Sequence, residues 1–287
     1  MLIYVKHYGQ LCNRLWALIP VIAYVLHKKR HLCVCFAPKS YLNCFPMLKK
    51  CKYLHFILSR DGSFYKSIEW RLALYSEKYN LEIKGDFATL KRIGLFSFVD
   101  GWQHSEDISF VREQKERIVE LFKPTAIVAN TVSESFKGFD GITIGVHVRR
   151  GDYKGYLGGK YYYSDDVYNR IINKIRQLFA PGNQKVRFLI CSNETFKVPQ
   201  ENNDVFTIQG ADGITDLYAL SKCDYIIGPP SSYSQWASFI GDVPLCLLLN
   251  ETMDISMDSF SRIVLFNTFE NGKKIKLSNQ TESYYIE

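Results

Sequence analysis

The apolar positions of this chain switch repeatedly between the two-residue period of a strand and the longer period of a helix. Leu2 to Val5 is a short β-rich run, followed by a polar loop from Tyr8 to Asn13. From Arg14 to Lys29 the apolar residues recur at helical spacing, and the segment closes on Lys28-Lys29-Arg30. Basic residues in a last turn suit the negative end of a helix. His31 to Phe36 reads as a second strand. A strand, loop, helix and strand in that order predict a parallel, doubly wound sheet. The stretch from Lys39 to Asp100 is less regular, with a helical pattern over Trp70 to Tyr79. A charged helix is expected from Phe110 to Phe122, halted by Pro124. Small and polar residues from Ala129 to Gly141 read as a linker.

After that linker the alternation restarts. Ile142 to Val148 is an almost unbroken β-branched run, as expected of a strand buried on both faces. A Gly-rich loop covers Arg149 to Lys160, and Ser164-Asp165-Asp166 opens a helix to about Phe179. Val186 to Cys191 is a strand, Thr215 to Ser221 a short helix, and Asp224 to Ile227 a strand. Gly228-Pro229-Pro230-Ser231-Ser232 then leads into a helix through Trp236, and Pro244 to Leu249 is a last buried strand. The expected organisation is α/β, with an N-terminal domain over residues 1–135 and a C-terminal domain over 136–287.

Composition narrows the class. The chain has 287 residues, 47% apolar and 15% aromatic, which excludes a disordered chain. Its formal charge is +7. That charge suits an anionic partner or an ordinary solubilising surface, and it shows no basic stripe with interleaved aromatics of the nucleic-acid-binding kind. The eight cysteines fall in no CxxC spacing, and several lie inside apolar runs, so they read as buried free thiols of a reducing compartment. The longest apolar stretch, Leu15 to Leu26, contains Pro20 and falls short of the about 20 residues a spanning helix needs. No secretory leader is visible. A cytoplasmic protein is expected, with peripheral attachment to the inner face of a membrane compatible with the positive charge.

Three constellations could carry chemistry. In Gly145-Val-His147-Val-Arg149-Arg150-Gly-Asp152-Tyr153, strand alternation puts His147 and Arg149 on one face at a carboxyl end, where open α/β sheets bind ligands. A guanidinium there offers a fork of donors suited to phosphate. Pairing of Arg149 and Arg150 with Asp152 and other acids accounts for the same residues equally well. In the second, Ser231, Ser232 and Ser234 enter a helix below Asp216 in the order of the chain; they suit an anion at the helix start or plain N-capping. The third is the loop Gly9 to Asn13 after the first strand, which is not a GxGxxG fingerprint. No GxxxxGK[ST], HExxH, GxSxG or Asp-x-Asp occurs.

Taken in order, these segments resemble the inverting α-1,2-fucosyltransferases of glycosyltransferase family 11, and more distantly the α-1,6- and protein O-fucosyltransferases. Gly9-Gln-Leu-Cys-Asn13-Arg-Leu-Trp16 is similar to the family's N-terminal loop, and Asp100-Gly-Trp-Gln-His-Ser-Glu106 to its second segment. His147-Val-Arg149-Arg150-Gly-Asp152-Tyr153 matches most specifically. Asp216 to Ile227, with Ser231-Ser232-Tyr233-Ser234-Gln235-Trp236, resembles the last motif. The resemblance implies a GT-B-like fold of two Rossmann-like domains facing a cleft, the first on the acceptor side. It implies GDP-fucose as donor, an oligosaccharide or lipid-linked glycan as acceptor, no metal and no cofactor, and inversion at the anomeric carbon. Arg149 would hold the β-phosphate, and His147 and Asp216 the guanosine. Ser231, Ser232 and Ser234 would line the pyrophosphate, and Gly9 and Asn13 would close the donor site. Arg150 and Asp152 would order the loop or touch a substrate. Asp152, Glu106 and Asp61 are the candidate bases, with Asp152 the first choice. Pro229-Pro230 and Gln235 depart from the family pattern, as does Cys12. A transferase for another nucleotide sugar, or a non-catalytic binder, remains the alternative.

Overall fold

A computed structural model describes residues 1–6, 9–59, 63–89, 94–182, 184–199 and 202–287. The chain forms two compact units, Met1–Thr125 and Ala126–Glu287. The first unit holds β1 (Leu2–Tyr4), α1 (Leu11–Lys28), β2 (Leu32–Pro38), α2 (Lys39–Cys44), β3 (Leu54–Ser59), α3 (Ser63–Lys78), β4 (Ser97–Val99) and α4 (Val111–Leu121). Its strands pair in parallel in the order β3-β2-β1-β4. Helix α1 is buried along most of its length, Pro20 included, because its apolar residues go almost all the way round. It starts at Leu11, ahead of the expected Arg14, so the loop left after β1 is short.

The second unit opens on a helix where small and polar residues suggested a linker. Helix α5 (Ala126–Phe136) is rich in β-branched, Ser, Thr and Asn residues, whose intrinsic helix propensity is modest. Tertiary packing overrides that preference. Val132 is buried, and Arg187 lies against the rings of Phe136, Phe139 and Phe206 at 5.2, 4.3 and 4.7 Å. The same guanidinium donates to the Phe136 carbonyl at 3.3 Å, which seats the end of the helix on the second sheet. The division between units therefore precedes α5.

The rest of the unit follows the expected alternation: β5 (Ile142–Val148), α6 (Asp165–Phe179), β6 (Val186–Ser192), β7 (Val205–Phe206), α7 (Gly213–Leu220), β8 (Tyr225–Gly228), α8 (Ser232–Gly241) and β9 (Leu245–Leu247). These strands form a parallel sheet in the order β7-β6-β5-β8-β9. The first connection, β5 to β6, runs to one side of β5, and β8 then joins its other side. That places β5 at the point where the strand order reverses, where doubly wound sheets bind ligands. Two antiparallel hairpins complete the unit, β10 (Ile263–Leu265) with β11 (Thr268–Phe269), and β12 (Ile275–Ser278) with β13 (Ser283–Ile286).

Candidate active site

The carboxyl end of β5 carries the densest chemistry of the second unit. His147 sits there with a ring only 4% exposed, stacked on Tyr233 of α8 at 4.9 Å between centroids and 29° between planes. Its Nδ1 is buried and has no hydrogen-bond partner among the described residues. Burial and, to a lesser degree, the Arg149 charge hold its pKa down at about 3, so the ring is neutral at physiological pH. Gly228 on β8 passes beside it. A Cβ at that position would stand 2.8 Å from the His147 carbonyl oxygen and 2.9 Å from its Cβ, so the close approach of the two strand ends requires glycine.

Arg149 leaves the strand next. Its Nη2 lies 2.9 Å from each carboxylate oxygen of Asp152, and its guanidinium stands 5.4 Å from the centre of the Tyr153 ring. The Asp152 side chain is about half exposed. Arg150 turns elsewhere. It is 8% exposed, ion-paired to Asp165 at the start of α6, and donates to the Thr195 carbonyl at 3.2 Å. Its own amide donates to Asn193 Oδ1 at 3.2 Å. Arg150 thus directs Nη1 and Nη2 to the protein's own groups and orders the loop, one of the two roles expected of it. Gly151, at φ +61°, turns the chain so that its amide reaches Glu194 Oε1 at 3.0 Å.

Helix α8 begins beside this loop. Ser231 is its N-cap, with Oγ accepting from the Tyr233 amide at 3.2 Å. The amides of a first helical turn have no intrahelical acceptor, and they carry the positive end of the helix dipole. Ser232 is partly exposed at this end. Ser234 departs from expectation: it is 0% exposed, and its hydroxyl donates back to the Ser231 carbonyl at 3.2 Å. It braces the first turn from inside and presents nothing to a ligand. The buried Tyr153 hydroxyl donates to the Pro230 carbonyl, joining the Arg149 loop to the loop that enters α8. Tyr233 in turn donates to the Gly213 carbonyl at 2.7 Å, joining α8 to the start of α7.

Asp216 lies in the first turn of α7, whose N-cap Asp212 accepts from the Ile214 and Thr215 amides at 3.2 and 2.8 Å. Cys191, which faces His147 across the β5–β6 pairing, sends its thiol toward the Asp216 carbonyl oxygen at 3.7 Å. Burial, reinforced by the charge of Asp212, pushes the Asp216 carboxyl up to about 6. The second unit therefore assembles His147, Arg149, Asp152, Asp216, Ser231 and Ser232 around the strand-order reversal. Tyr153 and Tyr233 are the contributors that motif reading left without a role. Both stand inside the quoted motifs, but nothing in spacing distinguishes a connecting tyrosine from a core one.

The first unit holds the other sequence candidates. Gly9 takes φ +62° just before α1, and its carbonyl accepts from Arg14 Nε at 2.9 Å. Asn13 is half-buried in the first turn of that helix, which Gln10 begins without a side-chain cap. Asp100 caps the short turn Gly101–His104 by accepting from the Trp102 amide at 3.1 Å, and it lies 3.6 Å from Lys6. His104 is buried, its Nε2 3.2 Å from the Ile83 carbonyl oxygen, and burial lowers its pKa. The 100–106 segment is thus built as an internal corner, with Glu106 exposed beside it. Asp61 lies outside the described residues. Among the described residues no three His, Cys, Asp or Glu side chains are grouped to hold a metal ion, and no helix is long and apolar enough to cross a membrane.

Two parallel α/β units with this strand order are the GT-B-like fold of the fucosyltransferases. The fucosyltransferase NodZ from Bradyrhizobium superposes with a TM-score of 0.55 at 18% identity, over 86% of this chain and 94% of that one. A variant of Arabidopsis thaliana FUT1 in complex with GDP gives a TM-score of 0.52 at 13% identity, over 100% and 82%. In sequence the chain is similar to an alpha-1,2-colitosyltransferase of Escherichia coli, 26% identical over 220 residues, which span 73% of this chain and 72% of that protein. No family profile matches. The fold is therefore that of the fucosyltransferases, and the sequence is similar to that of a glycosyltransferase.

Proposed function

We propose that the protein transfers a 6-deoxyhexose from its GDP-activated form to a glycan hydroxyl, with inversion at the anomeric carbon and without a metal. GDP-fucose is the first donor to test, and a galactoside the first acceptor, with an α-1,2 linkage. The relative's printed activity adds the colitose donor as the second reading, since colitose is L-fucose without its 3-hydroxyl. The observation that supports the reading most is that Arg149 and the Ser231-capped start of α8 stand on adjoining loops joined by the Tyr153–Pro230 hydrogen bond.

The chemistry follows from charge. The bond from the anomeric carbon to the β-phosphate oxygen breaks, and its electron pair stays on the departing GDP. Positive charge that is already in place stabilises that change without reorganisation. In this reading Arg149 and the first-turn amides of α8 supply it. Asp152, with both oxygens against Nη2, aims the guanidinium and remains the candidate base. Asp216, ionised above about pH 6, matches the N1–H and 2-amino donors of guanine, and His147, neutral at working pH, adds no charge of its own. The acceptor hydroxyl attacks from the face opposite the diphosphate, and its proton passes to the half-exposed Asp152 carboxylate as the new bond forms.

The test is transfer by the purified full chain from labelled GDP-fucose and GDP-colitose to β-galactosides, with and without EDTA, and with the product's anomeric configuration read by NMR. A site that hydrogen-bonds the 3-hydroxyl would reject the donor lacking it by several orders of magnitude, so the ratio of the two rates identifies the sugar. Absence of transfer and donor hydrolysis with both sugars, together with no thermal stabilisation by GDP, would refute the proposal.

A further inference from the structure

The inner side of α3 is accounted for by the sheet of the first unit. Ala73 and Ser76 are buried there, and Ile68 and Leu72 pack with Val5, Ile3, Cys33 and Phe98. Its outer side is also apolar. Trp70 is 64% exposed, and Leu74, Tyr75 and Tyr79 are exposed with it. The Tyr75 and Tyr79 rings lie 4.7 Å apart, with Lys78 Nζ 5.3 Å from the Tyr79 ring centre. Past the helix the Phe98 amide donates to the Leu81 carbonyl at 3.3 Å, which brings exposed Leu81 beside the residues that lead into β4. Those residues are Leu95 and Phe96, 81% and 64% exposed. An exposed apolar and aromatic tract of this kind marks an interaction surface.

Charge selects the occupant. Residues 1–125 hold 20 Lys and Arg against 11 Asp and Glu, a net +9; residues 126–287 hold 16 against 18, a net −2. The whole positive excess of the chain belongs to the unit that carries the tract, and Arg71, Lys78 and Lys84 are exposed in or beside it. Trp and Tyr with neighbouring Lys and Arg are the side chains that settle at a bilayer's headgroup level, rings inward and cations toward anionic lipid.

We propose that the outer face of α3, with Leu81, Leu95 and Phe96, docks the first unit on an anionic membrane surface. This inference is independent of the donor reading, since it concerns the other unit and requires no turnover. The experiment is co-sedimentation of the full chain with vesicles of phosphatidylcholine alone and of phosphatidylcholine mixed with phosphatidylglycerol, at low and high salt, since salt screens charge-driven adsorption. Tryptophan emission is followed in parallel. Trp16 and Trp236 are buried and Trp102 is half-buried, so a blue shift on vesicle addition reports Trp70.

The expected result is binding to the anionic vesicles with a blue shift, both weakened by salt. The triple variant Trp70→Ser, Leu95→Ser, Phe96→Ser should lose binding at least about tenfold while its melting temperature stays near that of the parent. Lys78→Gln with Arg71→Gln should weaken binding while leaving the rings in place. Equal binding to neutral vesicles, no binding to either, or undiminished binding by the triple variant would overturn the proposal. So would a concentration-dependent dimer that the triple variant abolishes, since the face would then belong to a second copy of the chain.

Discussion

Replacing Tyr153 by Phe removes one oxygen and leaves the ring under Arg149 in place. The deleted hydroxyl is buried, and burial raises its pKa to about 12, so across the working pH range it is a neutral donor to the Pro230 carbonyl. Without it that carbonyl keeps no substitute for the lost donor, a cost of about 1–3 kcal/mol. A unit of this size loses about 2–4 °C per kcal/mol, so melting should move down by roughly 2–12 °C. The functional effect is separate. Pro230 leads directly into the Ser231 cap, so losing the strut lets the α8 amides shift relative to Arg149. Donor turnover should fall by about 3–30-fold, mostly in kcat, because the charge that develops on the leaving group is felt in the transition state. Calorimetry and initial rates with GDP-fucose would check both. Reduced stability with full kcat would show that the bond is only structural. An unchanged melting temperature would refute the reasoning at its first step.

Arg149→Ala should cost about 100–1000-fold in turnover, the usual range for removing a preorganised charge-stabilising donor, and Arg149→Lys should recover part of it without the fork geometry. Donor affinity, measured by calorimetry with GDP, should rise as pH increases through about 6 as Asp216 ionises, and Asp216→Asn should flatten that profile. In stability the partly buried Asp216 and the buried His147 act with opposite sign. The raised Asp216 favours the native state fully below about pH 4 and loses that contribution as pH rises through 6. The lowered His147 contributes fully above about pH 6.5 and loses it as pH falls toward 3, so His147→Gln should resist acid unfolding better. Gln235→Ala should destabilise by about 1–3 kcal/mol while leaving GDP affinity within about twofold, because it strands the Asn267 amide and side chain.

The two parallel sheets were legible because buried parallel strands are nearly all apolar and are separated by helices with ordinary caps, as at Ser164 and Ser231. Helix α5 was not, since its composition is that of a linker and its helicity comes from contacts of Phe136 with Arg187 and Phe206 far along the chain. The placement of His147 and Arg149 at a strand end followed from alternation alone. The separation of Arg149 from Arg150 did not: adjacent guanidiniums look alike in sequence, and only Asp165 and Thr195 reveal that Arg150 is the one turned away toward α6. Gln235 stood out in the sequence only as a departure from the family pattern. In the structure it exchanges two hydrogen bonds with Asn267, at 3.1 and 2.8 Å, and fixes the turn of the β10–β11 hairpin.

The β12–β13 hairpin carries a consequence for synthesis on the ribosome. Lys160 donates to the Thr281 carbonyl and the Ser283 hydroxyl, and the Tyr284 amide donates to the Tyr161 hydroxyl, all at 2.6–2.7 Å. These bonds finish the segment that follows Arg149, more than a hundred residues after that segment has been made. The first unit can close while translation continues, but the second must wait until its final strand has left the exit tunnel. A nascent chain paused near residue 280 would thus display a folded first unit and an unfinished second one, a state in which chaperone engagement and premature proteolysis should concentrate.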